Sequence, residues 1–488
     1  MSTGRCPARC SHCGSMGRRD FLVGASAASA MFLSGCLSPE GPEIGGGANP
    51  AGPASRCVPK IKACFVRRKG EYGMRWPGAV YDGKAARAKY TKLLGETVRS
   101  LNVKLDLRAE PIHSAQEADA WVAEAVAAKP DGLLVMLLDR QQHAWPTANK
   151  AIATNLPTVV FSPVGSSFTT NTAAPSRKGN CFICSTDDFS EVAYGLRMLH
   201  AGTKLRATRC LVLCGSKRVE RTMPGLGIQL QYVPARMFLD EYRKTPDSAE
   251  VLALADDYMR RARRQTGPSR QDVVNSVKSY VVARELIRRE QADAITMDCL
   301  GALGRSKVAL PCIAWSRLND QGIPAACEAD LGAVASHTIV QYLFGRPGFQ
   351  QDPVAETARE AIIGAHCCCA TKLNGFDEPS EPFDLLHHHG NRDAVPRTVW
   401  RVGQRVTSAD YLPARKGTPA KMLIAAGEVL DNVSVPPAGG CVVSVMVKFD
   451  GVTDVLAWPG FHQVFFYGDY KRHLVAFCRM YGIEPVIA

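Results

Sequence analysis

No run of about 18 uninterrupted apolar residues occurs in the 488-residue chain, which excludes a membrane-spanning helix on length alone. The first strand–helix junction lacks Gly-x-Gly-x-x-Gly, so nicotinamide binding is disfavoured. No basic block with interleaved aromatics is present, although 59 Lys and Arg face 46 Asp and Glu. The arginines are scattered, and a nucleic-acid surface is not expected. There is no internal repeat. Cys181 and Cys184 share a Cys-x-x-Cys spacing, but no second pair completes a zinc site. An alternating strand accounts for them more simply. With 46% apolar and 22% charged residues, wholesale disorder is excluded as well.

What the chain does have begins at its start. Arg18-Arg19-Asp20-Phe21-Leu22 resembles a twin-arginine motif and is followed by a mildly apolar Ala/Gly/Ser stretch. Leu33-Ser34-Gly35-Cys36 then resembles a lipobox, whose Cys becomes the acylated first residue of a mature lipoprotein. Residues 1–36 are therefore expected to be a leader. The chain is expected to be exported, in a bacterium, to the periplasm or to a membrane tether at Cys36. Residues 37–56 hold five Gly and four Pro, as a flexible tether would. Cys6, Cys10 and Cys13 have cluster-like spacing but lie upstream of the arginine pair, in the part to be removed. Export of an already folded chain is a hint of a bound metal. Folding in a reducing cytosol would leave the fourteen cysteines after Cys36 as small core hydrophobes.

From residue 58 short apolar runs alternate with helix-length segments. Strands are expected at 60–66, 103–107, 132–138 and 158–162, with helices at 85–101 and 115–128 between them. That is the pattern of a doubly wound α/β domain over 58–175. A second α/β set spans 176–350, with strands at 209–215, 294–300 and 310–315 and helices at 189–200, 248–265, 269–290 and 328–344. Ser269 is well placed to cap the helix that follows it. After about 371, Val-rich alternation such as 441–449 and 463–467 points to an antiparallel β domain, taken as 351–488. The fold class is thus two Rossmann-like doubly wound α/β domains followed by a C-terminal antiparallel β-barrel-like domain.

Polar residues in apolar surroundings cluster in the last third. Glu328 sits where a small-residue run leads into a helix, and Asp352 precedes Pro353. His366 ends AIIGAH, and His462 lies in AWPGFHQVFF. Two carboxylates with imidazoles suit a hard divalent ion. Each alone has a plainer reading: a core histidine, or an acid serving a helix dipole. The run Cys367-Cys368-Cys369 suggests no chemistry at this level.

At these residues the sequence resembles a known family. DAITMDCLGALG, PCIAWSRLNDQGIPAACEADLGA, GRPGFQQDPVAETAREAIIGAHC and the closing GFHQVFFYGDYKRHLVAFCRMYGIEPV are similar to the L-fucose isomerase-like proteins, relatives of the L-fucose and L-arabinose ketol isomerases. The resemblance is closest over 290–375 and near the C-terminus. It implies a Mn²⁺-type cation held by Glu328, Asp352 and His462, with Glu328 and Asp352 as the acid–base pair. His366 is implied as a ligand or substrate contact. Gln351 stands where the arabinose-type pattern has a Glu, and Gln463 follows His462 where a second His is common. The resemblance also implies a monosaccharide substrate and a homo-oligomer, a trimer or hexamer.

The chemistry would be aldose–ketose interconversion through an enediolate. The cation would polarise the carbonyl while one carboxylate takes the proton and the other delivers it. Asp298, near a strand end, and Arg317 are further candidates for substrate contact. Trp315, Asn319 and the His387-His388-His389 loop lie close in sequence, and core or surface roles serve for them equally. Two other functions compete: an exported sugar-binding lipoprotein without catalysis, and a metal-dependent hydrolase or lyase acting on a glycan fragment.

Overall fold

The computed structural model describes residues 49–70, 82–140, 142–306, 308–388, 392–433 and 441–488. The leader, with Cys6, Cys10, Cys13 and Cys36, the first part of the tether, and His389 lie outside the described residues. None of the described helices is long and apolar enough to cross a membrane.

The first sheet is built from β1 (Lys60–Val66), β2 (Lys104–Leu107), β3 (Gly132–Leu137), β4 (Thr158–Ser162) and β5 (Cys181–Ser185). All are parallel, in the order β2-β1-β3-β4-β5. This is a doubly wound arrangement, and strand alternation shows why it needs helices on both faces. Ile61, Ala63 and Phe65 pack with Tyr90, Leu94 and Leu196 on one side. Cys64 and Val66 pack with Trp121 and Trp145 on the other. Asp82 and Ser114 cap the helices Gly83–Ser100 and Ala115–Ala128 through their side chains.

The second sheet holds β6 (Arg209–Leu213), β7 (Val219–Thr222) and β8 (Gln229–Val233). β9 (Arg264–Thr266) belongs to a separate three-stranded sheet, and β10 (Ala294–Met297) and β11 (Ala325–Cys327) complete the second one. The order is β11-β10-β6-β8-β7, parallel except for the edge strand β7. Ser269 and Asp272 form a reciprocal capping box at the helix Arg270–Arg289, as the sequence indicates. That helix and Cys312–Asp320 cover one face of the sheet. The helix Leu331–Phe344 covers the other and shares a core with the first sheet and with barrel residues such as Val464 and Phe466.

The C-terminal part comprises β12 (Phe349–Glu356), β13 (Ala361–His366), β14 (Phe383–His388), β15 (Arg392–Thr398), β16 (Arg405–Leu412), β17 (Lys421–Asn432), β18 (Val443–Phe449), β19 (Gln463–Tyr467) and β20 (Glu484–Ile487). Six of these strands close an antiparallel barrel in the order β16-β19-β12-β13-β18-β17, with β17 pairing back to β16. The expected fold class is the observed one.

Three local expectations fail. Residues 310–315 are not a strand: Pro311 precedes the helix Cys312–Asp320, whose residues are all buried. A short apolar run cannot separate a buried strand from a buried helix by periodicity. Cys181–Ser185 opens no second domain, because it pairs with β4 as the edge of the first sheet, beyond the expected boundary at 175. The end of the tether is not free either. Asp293 accepts hydrogen bonds from the amides of Ala54 and Ser55, and a Cβ at Gly52 would meet its carboxylate at 2.2 Å. Within the C-terminal part, β14 and β15 join β9 and pack into the second α/β core rather than the barrel.

Candidate active site

The site forms where β11, at its C-terminal end, meets the barrel strands β12, β13 and β19. Gln350 on β12 accepts the Cys327 amide hydrogen at 2.8 Å and ties the two together. Directly after Cys327 the chain turns through two left-handed residues, Glu328 (φ 64°) and Ala329 (φ 54°). His462, just before β19, is a third (φ 53°). Each costs about 1–2 kcal/mol for a residue with a Cβ, so packing and hydrogen bonds around the site must hold them in place. Asp330 then caps the helix Leu331–Phe344 by accepting the Ala333 amide at 2.7 Å.

His462 is the hub. Its Nδ1 lies 3.1 Å from Asp330 Oδ2, and its Nε2 lies 3.1 Å from Asp352 Oδ1 and 3.5 Å from Glu328 Oε2. His366 Nε2 lies 3.9 Å from Glu328 Oε1. Glu328, His366 and His462 each offer a ligand atom within 4.8 Å of the others. His462 Nε2 and Asp352 Oδ1 are buried and face each other at 3.1 Å with no further hydrogen-bond partner among the described residues, so a cation taking the place of the proton between them would meet two donors not engaged elsewhere. Asp330 holds the ring as an outer carboxylate orients a metal-binding imidazole.

Burial opposes charge on His462, but hydrogen bonds to Asp330 and Asp352 outweigh it and push the ring up to about 10. For Asp330, the His462 contact and helix amides overcome burial and hold the carboxyl below its ordinary value. Asp410, desolvated and repelled by Asp330, is pushed up to about 7.

The strand register decides between Gln351 and Asp352. Neighbouring residues on a strand face opposite ways. Gln351 turns inside, where its Nε2 donates to Gln463 Oε1 at 3.2 Å, and Asp352 turns toward His462. Gln463 likewise accepts from Trp458 Nε1 at 2.8 Å. Neither glutamine reaches the acids.

The structure therefore brings Glu328, Asp352, His366 and His462 together. It does not bring Arg317, whose guanidinium lies over the Tyr280 ring at 5.0 Å. Its side chain, on the buried helix Cys312–Asp320, lies in the second α/β core. Trp315 is fully buried, and Asn319 bonds to the carbonyls of Trp315 and Ala325. Asp298 caps the short helix Cys299–Leu303, accepting the Gly301 amide at 3.0 Å, next to the cavity-lining Cys299 and Leu300.

Sequence reasoning missed Asp330, Asp410 and the approach of the cysteines. Only Asp330 left a signal, an Asp directly before a helix. The cavity itself, about 30 Å³, is lined by Glu328, Asp352, His366, His388, Cys312 and Cys441 among others. That is room for an ion and a water rather than a sugar, which would lie across its mouth. A larger concavity, about 660 Å³, is elsewhere, between β5 and the helix Lys471–Met480, and its lining has no acid pair with a histidine.

Two acids and two imidazoles at the junction of parallel α/β sheets and a closed barrel define a candidate centre for cation-assisted proton transfer. No protein-family model matches the chain. It is similar to the sulfoquinovose isomerase of Clostridium sp. (strain MSTE9), 28% identical over 227 residues that cover 43% of this chain and 47% of the relative. The chain thus spans about half the length of the curated relative it matches. Among solved structures, an ABC-transporter solute-binding protein from Burkholderia multivorans is 9% identical, covering 49% of this chain and 80% of its own, with a TM-score of 0.17. That score carries no argument.

Proposed function

We propose that the protein interconverts an aldose and a ketose by moving a proton between neighbouring sugar carbons. The observation that carries this reading is the convergence of Glu328 and Asp352 on His462 Nε2, with His366 beside them. The local likeness to a sulfoquinovose isomerase supports a sugar as the substrate. Glu328, Asp352 and His462 would hold a divalent cation of the Mn²⁺ type, with His366 in reach, and such a cation supplies polarisation of a carbonyl and stabilisation of the negative charge that follows.

The chain's own groups do the rest. Of the two carboxylates, one takes the proton from the carbon beside the carbonyl and the other returns it to the neighbour. Asp330 fixes the His462 ring so that Nε2, not Nδ1, faces the acids. His366 and Asp298 border the place where the sugar would lie, across the mouth at which Glu328 and Asp352 are partly exposed. The same reading takes the mature chain as exported, lipid-tethered at Cys36, and assembled as a trimer or hexamer. Intact mass and sedimentation of the mature protein test those points.

The test of function is solvent deuterium uptake into a panel of aldoses and ketoses, sulfoquinovose included, read by NMR on Mn²⁺-loaded and chelated protein. Label next to the carbonyl, lost in Glu328→Gln, is the expected outcome. No label in any sugar from folded, loaded protein would reject isomerisation and leave a sugar binder or a hydrolase.

A further inference from the structure

The other nitrogen of His366 faces a different chemistry. Its Nδ1 lies 3.4 Å from Cys367 Sγ, and Cys327 Sγ lies 3.5 Å from Cys368 Sγ. Cys327, His366, Cys367 and Cys368 each place a ligand atom within 4.8 Å of the others, and all four are buried. Cys312, Cys367 and His388 form a second such group on the same thiol. We propose that Cys327, Cys367, Cys368 and His366 Nδ1 form a second cation site, for a thiophilic ion of the Zn²⁺ class.

Three observations support it. First, the donors are a Cys₃His set, one of the combinations that closes a tetrahedral structural zinc site. With Zn–S near 2.3 Å and Zn–N near 2.0 Å, tetrahedral edges come to about 3.5–3.8 Å. The contacts of 3.4 and 3.5 Å need only small adjustments to match.

Second, the backbone is shaped for convergence. In a strand, His366, Cys367 and Cys368 would alternate between faces. β13 ends at His366, and the irregular segment after it buries both following thiols to 8% exposure, while Cys327 arrives from the end of β11. Third, hardness separates the two sites. Oxygen donors lie on the Nε2 side of His366 and sulfur donors on the Nδ1 side, so each would select a different ion. Binding is a proton exchange: the thiols ligate as thiolates, and each proton released passes to solvent.

This proposal does not rest on isomerase activity. The experiment titrates the reduced, metal-stripped protein with Co²⁺ and then Zn²⁺. We expect one equivalent of Co²⁺ to give thiolate-to-metal absorption in the near ultraviolet with tetrahedral visible bands, both bleached by Zn²⁺. Glu328→Gln should keep that absorption, as should Cys478→Ser, a buried thiol elsewhere. Cys327→Ser and Cys368→Ser should each lose most of it. Should these variants fail to fold by circular dichroism, X-ray absorption at the zinc edge of the unaltered protein decides. Sulfur neighbours at about 2.3 Å support the site. Only nitrogen and oxygen neighbours, or thiolate absorption unchanged in folded Cys327→Ser and Cys368→Ser, would overturn it.

Discussion

The two sides of the His366 ring differ in donor and in access. Toward Nε2 lie carboxylates at a mouth where the Glu328 side chain is 36% exposed. Toward Nδ1 lie thiols of which none in the Cys₃His set exceeds 8%. An acid that must exchange protons with a sugar has to be reachable, whereas a structural cation is best sealed from water and competing ligands. One histidine at a strand end serves as the wall between these environments. The contrast teaches that the proposed catalytic and structural tasks are divided by donor hardness within a single ring's width.

The largest test of that contrast is Glu328→Gln. It should lower sugar isomerisation by about 10²–10⁴-fold, the usual worth of a positioned acid or base, and leave the thiol side's cobalt spectrum unchanged. Loss of both would show that the two sides are one site. Next comes Asp330→Ala, which frees His462 Nδ1 and uncaps a helix. It should weaken Mn²⁺ binding by about 10–100-fold and cost about 1 kcal/mol in denaturant unfolding. Asp330→Asn should recover most of the stability and less of the affinity, which separates the cap from the charge.

Asp410 sharpens the electrostatic half of the comparison. Its carboxyl titrates near 7 in the folded protein against an ordinary 3.8, so the native state binds the extra proton. The stability this gives is complete below about pH 4 and is lost as pH rises through 7. Asp410→Asn should flatten that slope and make the metal-free protein the more stable one above pH 7, by up to a few kcal/mol, as urea midpoints at several pH values would show. The smallest effect belongs to Ser269→Ala, far from both sides. Losing that cap should cost about 1 kcal/mol with isomerisation and cobalt absorption unchanged.

Much of the fold was legible because its signals are local. Buried parallel strands such as Gly132–Leu137 are unbroken apolar runs, and the Ser269 capping box is written within four residues. Where the signal was ambiguous the reading failed. Residues 310–315 look like a strand because they form a short apolar run, too short to show the helical period of Cys312–Asp320, to which most of them belong. Cys181–Ser185 was recognisable as a strand, but its membership in the first sheet depends on pairing with Thr158–Ser162. The acids were legible through motif context rather than spacing. The contact of Asp330 with His462 and the approach of Cys327 to Cys368 were not, since these partners lie far apart along the chain.

The sequence by itself determined most of the segments that become strands and helices, where many of them begin, and which polar residues sit among apolar neighbours. These follow from periodicity, caps and turn residues within a few positions. Only the tertiary structure decided that Asp352 and not Gln351 faces His462, because that is a matter of strand register across β12 and β19. It alone decided that Asp330 holds the His462 ring, and that Cys327 meets Cys368 across the end of a sheet and a barrel wall. Hydrogen bonds and ligand geometry act over about 3–4 Å, and the residues that meet there are 41 to 132 positions apart.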